Sequence, residues 1–415
     1  VYTHLEENGI SVGLVFRLRQ LRERVLRIRE LLDCLMSTHP SASAVRLLSR
    51  LVLVGQERAS IRALITSNSS LLAAKVAERS AETGEHYITR DWPQYRSMLR
   101  KAAGGGALTG GTTLLKFMIM GLGLSAFWGG FWAGAMYAAS FVVIQLLHCT
   151  LATKQPAMTA PAMAAKLKDI GTPEAVNAFV DEVAHLMRSQ AAAVLGNVLV
   201  VFPVVLLLSV GIGLLLGHPM LGAKEAAYTL HSLSLLGPTL LFAGFTGCLL
   251  FASSIIAGWV ENWFVLRRLD SAMRYNPGIT GILGVERAGR WAHFMRNNIS
   301  GFASNISLGF MLGLIPPIMA FFSLPLEVRH VTLSAGQLAA ASVAYGVQTV
   351  FMPAFWWAVA AIPLIGALNL GVSFYLAYKL ALRAHNVSGV QRAHIHQAIW
   401  ARWRHRPLSF FIPAG

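Results

Sequence analysis

Six long stretches of this sequence contain no aspartate, glutamate or arginine, and a single lysine between them. They are Ala107 to Phe127, Trp128 to Ala152, Gln190 to Gly217, Leu235 to Val260, Phe302 to Leu326 and Phe351 to Tyr378, and the lysine is Lys116. A bilayer core about 30 Å thick is crossed by roughly 20 apolar residues of helix, each rising 1.5 Å. Within hydrocarbon a helix satisfies its own backbone hydrogen bonds, which an open strand cannot do. The expectation is therefore an all-α chain: a cytoplasmic helical N-terminal region, then a six-helix transmembrane bundle. Composition agrees, because 55% of the 415 residues are hydrophobic and only 13% are charged, against about 25% charged in soluble domains. Leu333 to Tyr345 is apolar too, but short and rich in alanine; it reads as an interfacial helix on the outer face, with a re-entrant segment as the alternative.

The charges give the spans a direction. Of 35 lysines and arginines, 32 fall on one side when the stretches alternate and 2 on the other. The positive-inside rule then places both termini in the cytoplasm. Trp128, Trp132, Trp356 and Trp357 mark outer ends, whereas Trp259, Trp263 and Trp291 mark inner ends. Gly129 and Gly130 are expected to form a tight hairpin between the first two spans. Three parts follow: 1–103 cytoplasmic, 104–382 in the membrane with two basic loops, and 383–415 a basic tail. The chain starts at Val1 with no basic-then-apolar leader before its first soluble helix, so it is expected to be a C-terminal fragment.

In the first part Leu14, Leu18, Leu21, Val25, Ile28, Leu32 and Leu35 keep an unbroken 4-3 spacing, the seam of a coiled coil. Arginines 17, 19, 22, 24, 27 and 29 lie between them. The seam suits a bundle inside the chain with Ser43 to Ile65, or pairing with a helical protein partner through Leu14 to Leu35. With 16 basic and 10 acidic residues before Gly104, this region suits anionic lipid at the cytoplasmic face or nucleic acid, though no motif selects the latter.

Shifted by 108 residues, the sequence matches itself: HLMRSQAAAVLGNVLVVF from His185 lies over HFMRNNISGFASNISLGF from His293. Both strings run from a basic helix into a membrane span, and SMLRKAAGGG at Ser97 has the same character. Three tandem hairpins are the expectation, with coincidence of similar interfacial segments as the alternative.

Few residues promise chemistry. Lys116 lies inside a span, where a cation costs about 2.5–3.5 kcal/mol on insertion scales, so it should face the bundle or a wet cavity. Asn197, Asn305 and Asn369 are further intramembrane polar positions that more often bridge helices than bind substrate. GGGALTGGTT at Gly104 lacks the lysine of a phosphate loop. Gly106-x3-Gly110, Gly130-x3-Gly134, Gly213-x3-Gly217 and Gly309-x3-Gly313 read as close helix packing, and Pro203, Pro316 and Pro317 as kinks. Cys34, Cys149 and Cys248 form no closely spaced motif. His394 and His396 cannot share a helix face, so no metal or cofactor is implied. With Trp400 and Trp403, the tail reads as an amphipathic helix on the inner leaflet.

The stretch TGEHYITRDWPQYRSMLRKAAGGGALTGGTTLLKF, Thr83 to Phe117, resembles a bacterial membrane-protein family labelled site-specific recombinase, and the resemblance continues through the six spans. It implies a bacterial inner-membrane protein, and the label implies DNA strand exchange. Tyrosine recombinases use an HxxR pair with a tyrosine nucleophile. The chain offers His185/Arg188 and His293/Arg296 as weak catalytic candidates. Both pairs stand at matching entrances to membrane hairpins, which favours an architectural role, and Tyr345, Tyr375 and Tyr378 lie in or beside predicted spans or the outer loop. Two functions follow: a membrane scaffold or mover of a small or lipidic solute, and a membrane-tethered recombinase.

Overall fold

The computed structural model describes residues 12–36, 40–59, 88–151, 163, 173–385 and 389–413. The described residues are all-α, with thirteen α-helices and two short 3-10 turns. The chain divides into two compact units, one of Val1–Val76 with Glu261–Asn297, the other of Ala77–Val260 with Asn298–Gly415.

In the first unit α1 (Val12–Met36) packs on α2 (Pro40–Ala59). The pairing leaves the expected seam largely open: Leu21, Val25, Ile28, Leu32 and Leu35 are 50–82% exposed. The side chains of Leu14 and Leu18, and residues 60–65 of the expected bundle partner, lie outside the described residues. This unit also holds α8 (Leu269–Tyr275) and α9 (Pro277–Leu283). Asn276 starts α9 by accepting from the amides of Gly278 and Ile279, and Pro277 follows with its φ already helical.

The second unit is built from α3 (Trp92–Gly121), α4 (Ala126–Leu146), α5 (Pro173–Leu216), α6 (Ala223–Leu233), α7 (Thr239–Leu266), α10 (Val285–Phe321), α11 (Val331–Tyr345), α12 (Pro353–His385) and α13 (Gly389–His405). Helices α7 and α10 continue into the first unit. Five of these helices, α4, α5, α7, α10 and α12, are long and apolar enough to cross a membrane. Helix α3, which carries the first expected span, is 30 residues long, but its glycines, threonines and Lys116 dilute its apolarity.

Asp91 caps α3 by accepting from the Gln94 amide at 2.8 Å. The helix stops at Gly121, and the chain turns through Gly123 at φ +64° before Ser125 caps α4. The hairpin therefore turns about six residues earlier than expected, and Gly129 and Gly130 lie inside α4. A left-handed residue followed by a capping serine outweighs a Gly-Gly pair, which a helix tolerates when its bare face is packed.

That packing is the main adhesive of this unit. A Cβ on Gly309 or Gly313 of α10 would run into the α4 backbone at Ala138 or Gly134, and one on Gly130 into the Pro317 ring. The order 130 to 317, 134 to 313 and 138 to 309 makes α4 and α10 antiparallel. Gly106 and Gly110 of α3 lie similarly against Asn197 and Val204 of α5. The fourth glycine pair behaves differently: Gly217 ends α5 at φ +75° and has open space beside it, so Gly213-x3-Gly217 is a helix end.

The unit has two ends. At the Arg90 end the Thr150 amide donates to the Lys101 carbonyl, 3.0 Å, and the Thr89 amide to Ser189 Oγ, 2.7 Å. At the Gly123 end the Leu235 amide donates to the Trp357 carbonyl, 3.3 Å, and Tyr345 Oη to the Ala223 carbonyl, 2.9 Å. The tail docks at the Arg90 end: Phe410 is fully buried, Arg402 pairs with Asp181 of α5, and Trp403 packs on Phe410 at 5.4 Å. Its last turns are thus held by protein, where a helix laid on lipid was expected.

Candidate functional site

Helix α11 is the centre of the second unit. Residues 331–336 and 338–342 are all buried, against α3, α5, α6 and α12. An interfacial helix keeps a polar face in water, so the expected outer-face placement is corrected.

The approach to α11 is extended. After Ser323, at φ +57°, residues 324–330 leave the Gly123 end without helical structure. The stretch is tolerable inside the bundle because its polar groups find partners. The Arg329 amide donates to Thr246 Oγ1 of α7 at 2.7 Å. Asn369 of α12 donates to the Arg329 carbonyl and to the Ala243 carbonyl, each at 2.9 Å, and its Oδ1 accepts the first amide of α11, Val331, at 3.0 Å. Thr332 reaches Asn197 Oδ1 at 3.4 Å, and His330 stacks on Phe141 with centroids 6.2 Å apart. Asn369 is twelve residues past Trp357, so α11 begins about 18 Å in from the Gly123 end. Its 15 residues then return about 22 Å to that end.

Beside this extended stretch stands a charged group. Arg329, 8% exposed, is fixed by the Ser232 carbonyl at 2.9 Å, by Glu327 at 2.6 Å and by the face of Phe242. Tyr228 donates to the other oxygen of Glu327 at 3.3 Å. Burial, then the neighbouring carboxylate, holds the Tyr228 phenol above its usual pKa. Lys116 of α3 lies within electrostatic reach of Arg329 and Glu327, with its ammonium 5.9 Å from the Phe117 ring centroid. Lys116 thus joins a cluster whose other members come from α6 and the extended stretch. Arg329 is one of the two basic residues that the charge count put on the outer side, and it follows the fifth apolar stretch by three positions, after Glu327.

The three asparagines all bridge elements. Asn197 donates to the Ala102 and Thr150 carbonyls, 2.6 and 2.9 Å. Asn305 donates to Gln145 Oε1 at 2.6 Å, and Gln145 donates onward to Asn298. Asn369 touches the 324–345 segment by both its groups.

The two HxxR pairs stand in unlike surroundings. Arg188 is 3% exposed and donates to the carbonyls of Ser409, 2.9 Å, and Arg90, 3.5 Å, while His185 lies 3.7 Å from Glu182. This guanidinium ties the tail and the 88–90 segment to α5. In the other unit His293 is exposed and sits 3.0 Å from Asn297 Nδ2, with Arg296 one turn on. Tyr345 is bonded at the Gly123 end, Tyr375 is exposed beside Lys379, and Tyr378 stacks on Phe374 in the cluster that includes Leu186.

A family described as site-specific recombinase matches residues 1–413. The chain belongs to that family. No curated protein and no solved structure matches this member of the recombinase-labelled family. The family assignment thus arrives together with five helices able to cross a membrane and a short buried helix beside them.

Proposed function

We propose that the chain is a six-span membrane protein that moves a small solute through its helical core, with 324–345 as the element that shapes the path. In this reading α3 is the sixth span and both termini lie in the cytoplasm of a bacterium. The observation that carries it is α11: a helix with its N-terminus buried about two-thirds of the way through a 30 Å layer, reached by extended backbone. Non-helical backbone at such depth occurs where it is enclosed by protein or lines a cavity, and half-helices of this kind commonly address solutes. A scaffold has no need of it.

The test is Lys116→Met in a strain where loss of the protein gives a phenotype, with uptake followed for the affected solute. Normal insertion with lost uptake is the expected result, and unchanged uptake at normal expression counts against the reading. The family's description favours DNA strand exchange instead. Under that reading purified full-length protein nicks or exchanges DNA, and Arg188→Ala with Arg296→Ala abolishes it.

A further inference from the structure

Two buried polar side chains lie on the Arg90 side of the α11 N-terminus, and the bundle's hydrogen bonding does not use them. Gln190 of α5 is 8% exposed and Ser373 of α12 is fully buried. Among the described residues neither atom of the Gln190 amide has a hydrogen-bond partner, nor has Ser373 Oγ. Buried polar groups are nearly always satisfied, so each such exception asks for a role.

The helix register brings the two together. Val194 of α5 lies against Gly366 of α12, and Leu186 shares a cluster with Phe374. On antiparallel helices these contacts place Gln190, midway between 186 and 194, level with residue 370. Asn369 and Ser373 flank that level one turn apart on α12, and Asn369 holds the first amide of α11. By this register the unused amide and hydroxyl lie within about one helical turn of the level of the N-terminus of a buried 15-residue helix, the positive end of its dipole.

Within the apolar stretches the one formal charge is the cation Lys116. None of the six apolar stretches contains aspartate or glutamate. Lys116 and the Glu327-paired Arg329 stand toward the Gly123 end, and Arg188 stands toward the Arg90 end. Glu182 at the Arg90 end and Glu327 at the Gly123 end are each paired with an arginine, so a cation at this level meets no carboxylate of the apolar stretches, whereas an anion meets a helix N-terminus and two neutral donors.

We infer that Gln190 and Ser373, with the N-terminus of α11, form a binding station for a small inorganic anion between the Arg90 end and the re-entrant helix. The inference rests on the conduit reading and gives it a substrate class. Gln190 supplies an N–H and Ser373 an O–H to the anion, and Asn369 keeps the helix end in place.

The experiment uses the full chain in liposomes with Cys34, Cys149 and Cys248 replaced by serine. Ser373→Cys, nearly isosteric, and Gln190→Cys are challenged with small anionic and cationic thiol reagents, and Ala361→Cys, fully buried on the same helix, serves as control. Chloride, nitrate and phosphate are the anions tested for protection and for efflux. Expected are labelling at 373 and 190 but not at 361, a preference of about tenfold or more for the anionic reagent, protection by one of the anions, and anion efflux lost in Gln190→Leu. Labelling that favours the cationic reagent, or efflux of cations or neutral solutes only, overturns the anion station and leaves the conduit standing. No labelling at either position and no efflux of any solute overturns both.

Discussion

Asn369 joins three segments with one amide: its Nδ2 serves carbonyls of α7 and of the extended stretch, and its Oδ1 serves the start of α11. Removing that amide leaves buried backbone groups without partners, at about 1–3 kcal/mol for each group. Asn369→Ala is therefore expected to lower stability by several kcal/mol in detergent unfolding followed by tryptophan fluorescence, and an unchanged midpoint would sink this role for it. Asn369→Asp keeps the acceptor for the Val331 amide and, taken up as the neutral acid, one O–H for the two carbonyls, so it should rank between Asn369→Ala and the parent. That Asn369 matters could be read from sequence, as a polar residue inside a span. Its partners could not, because the extended stretch it serves carries no periodic pattern. Gln190 was invisible for a different reason: it sits at the first position of an apolar stretch, where a polar residue marks the boundary of a span as readily as a site.

The helices were legible where side chains carry the information themselves. Five long apolar runs stand out by length and by lack of charge, and three of the four glycine pairs face backbones of neighbouring helices as their spacing implies. Gly213-x3-Gly217 failed because spacing does not distinguish a packed glycine from one that ends a helix. The same blindness hid α11: it is shorter than a span and apolar all round, and its burial is decided by its neighbours. The packed glycines make a sharp prediction for α4 and α10. Gly313→Leu has no room against Gly134 and Gly130 and should abolish the monodisperse folded protein in size exclusion. Gly111→Ala on α3, with nothing within 4 Å, should migrate like the parent and gain slightly from better helix propensity.

Across the whole molecule, the structure puts the turns at Gly123 and Gly217 at one end of the second unit and the docked tail at the other. Reporter fusions at Gly123 and Gly217 are expected to report the side opposite to fusions after Ile412, with the tail in the cytoplasm. A periplasmic signal at the tail would reverse the proposed orientation. Ser334, in the stretch expected on the outer face, is 2% exposed within α11, so a fusion there tests folding and not sidedness. The recombinase label has to be weighed on the same scale. Its one buried HxxR arginine is committed to two backbone carbonyls, and the second pair belongs to the other compact unit.

The dependence of α11 on Asn369 also sets an order of assembly. A nascent chain that has emerged only as far as residue 352 owns the extended stretch and α11 but not the amide that receives them. Until α12 arrives, the 324–345 segment has backbone groups that hydrocarbon cannot satisfy, so it should wait at the aqueous surface. A chain arrested at 352 should expose a cysteine at position 334 to a water-borne reagent, and one arrested past 385 should shield it. The last long helix to be made is then the one that closes the core.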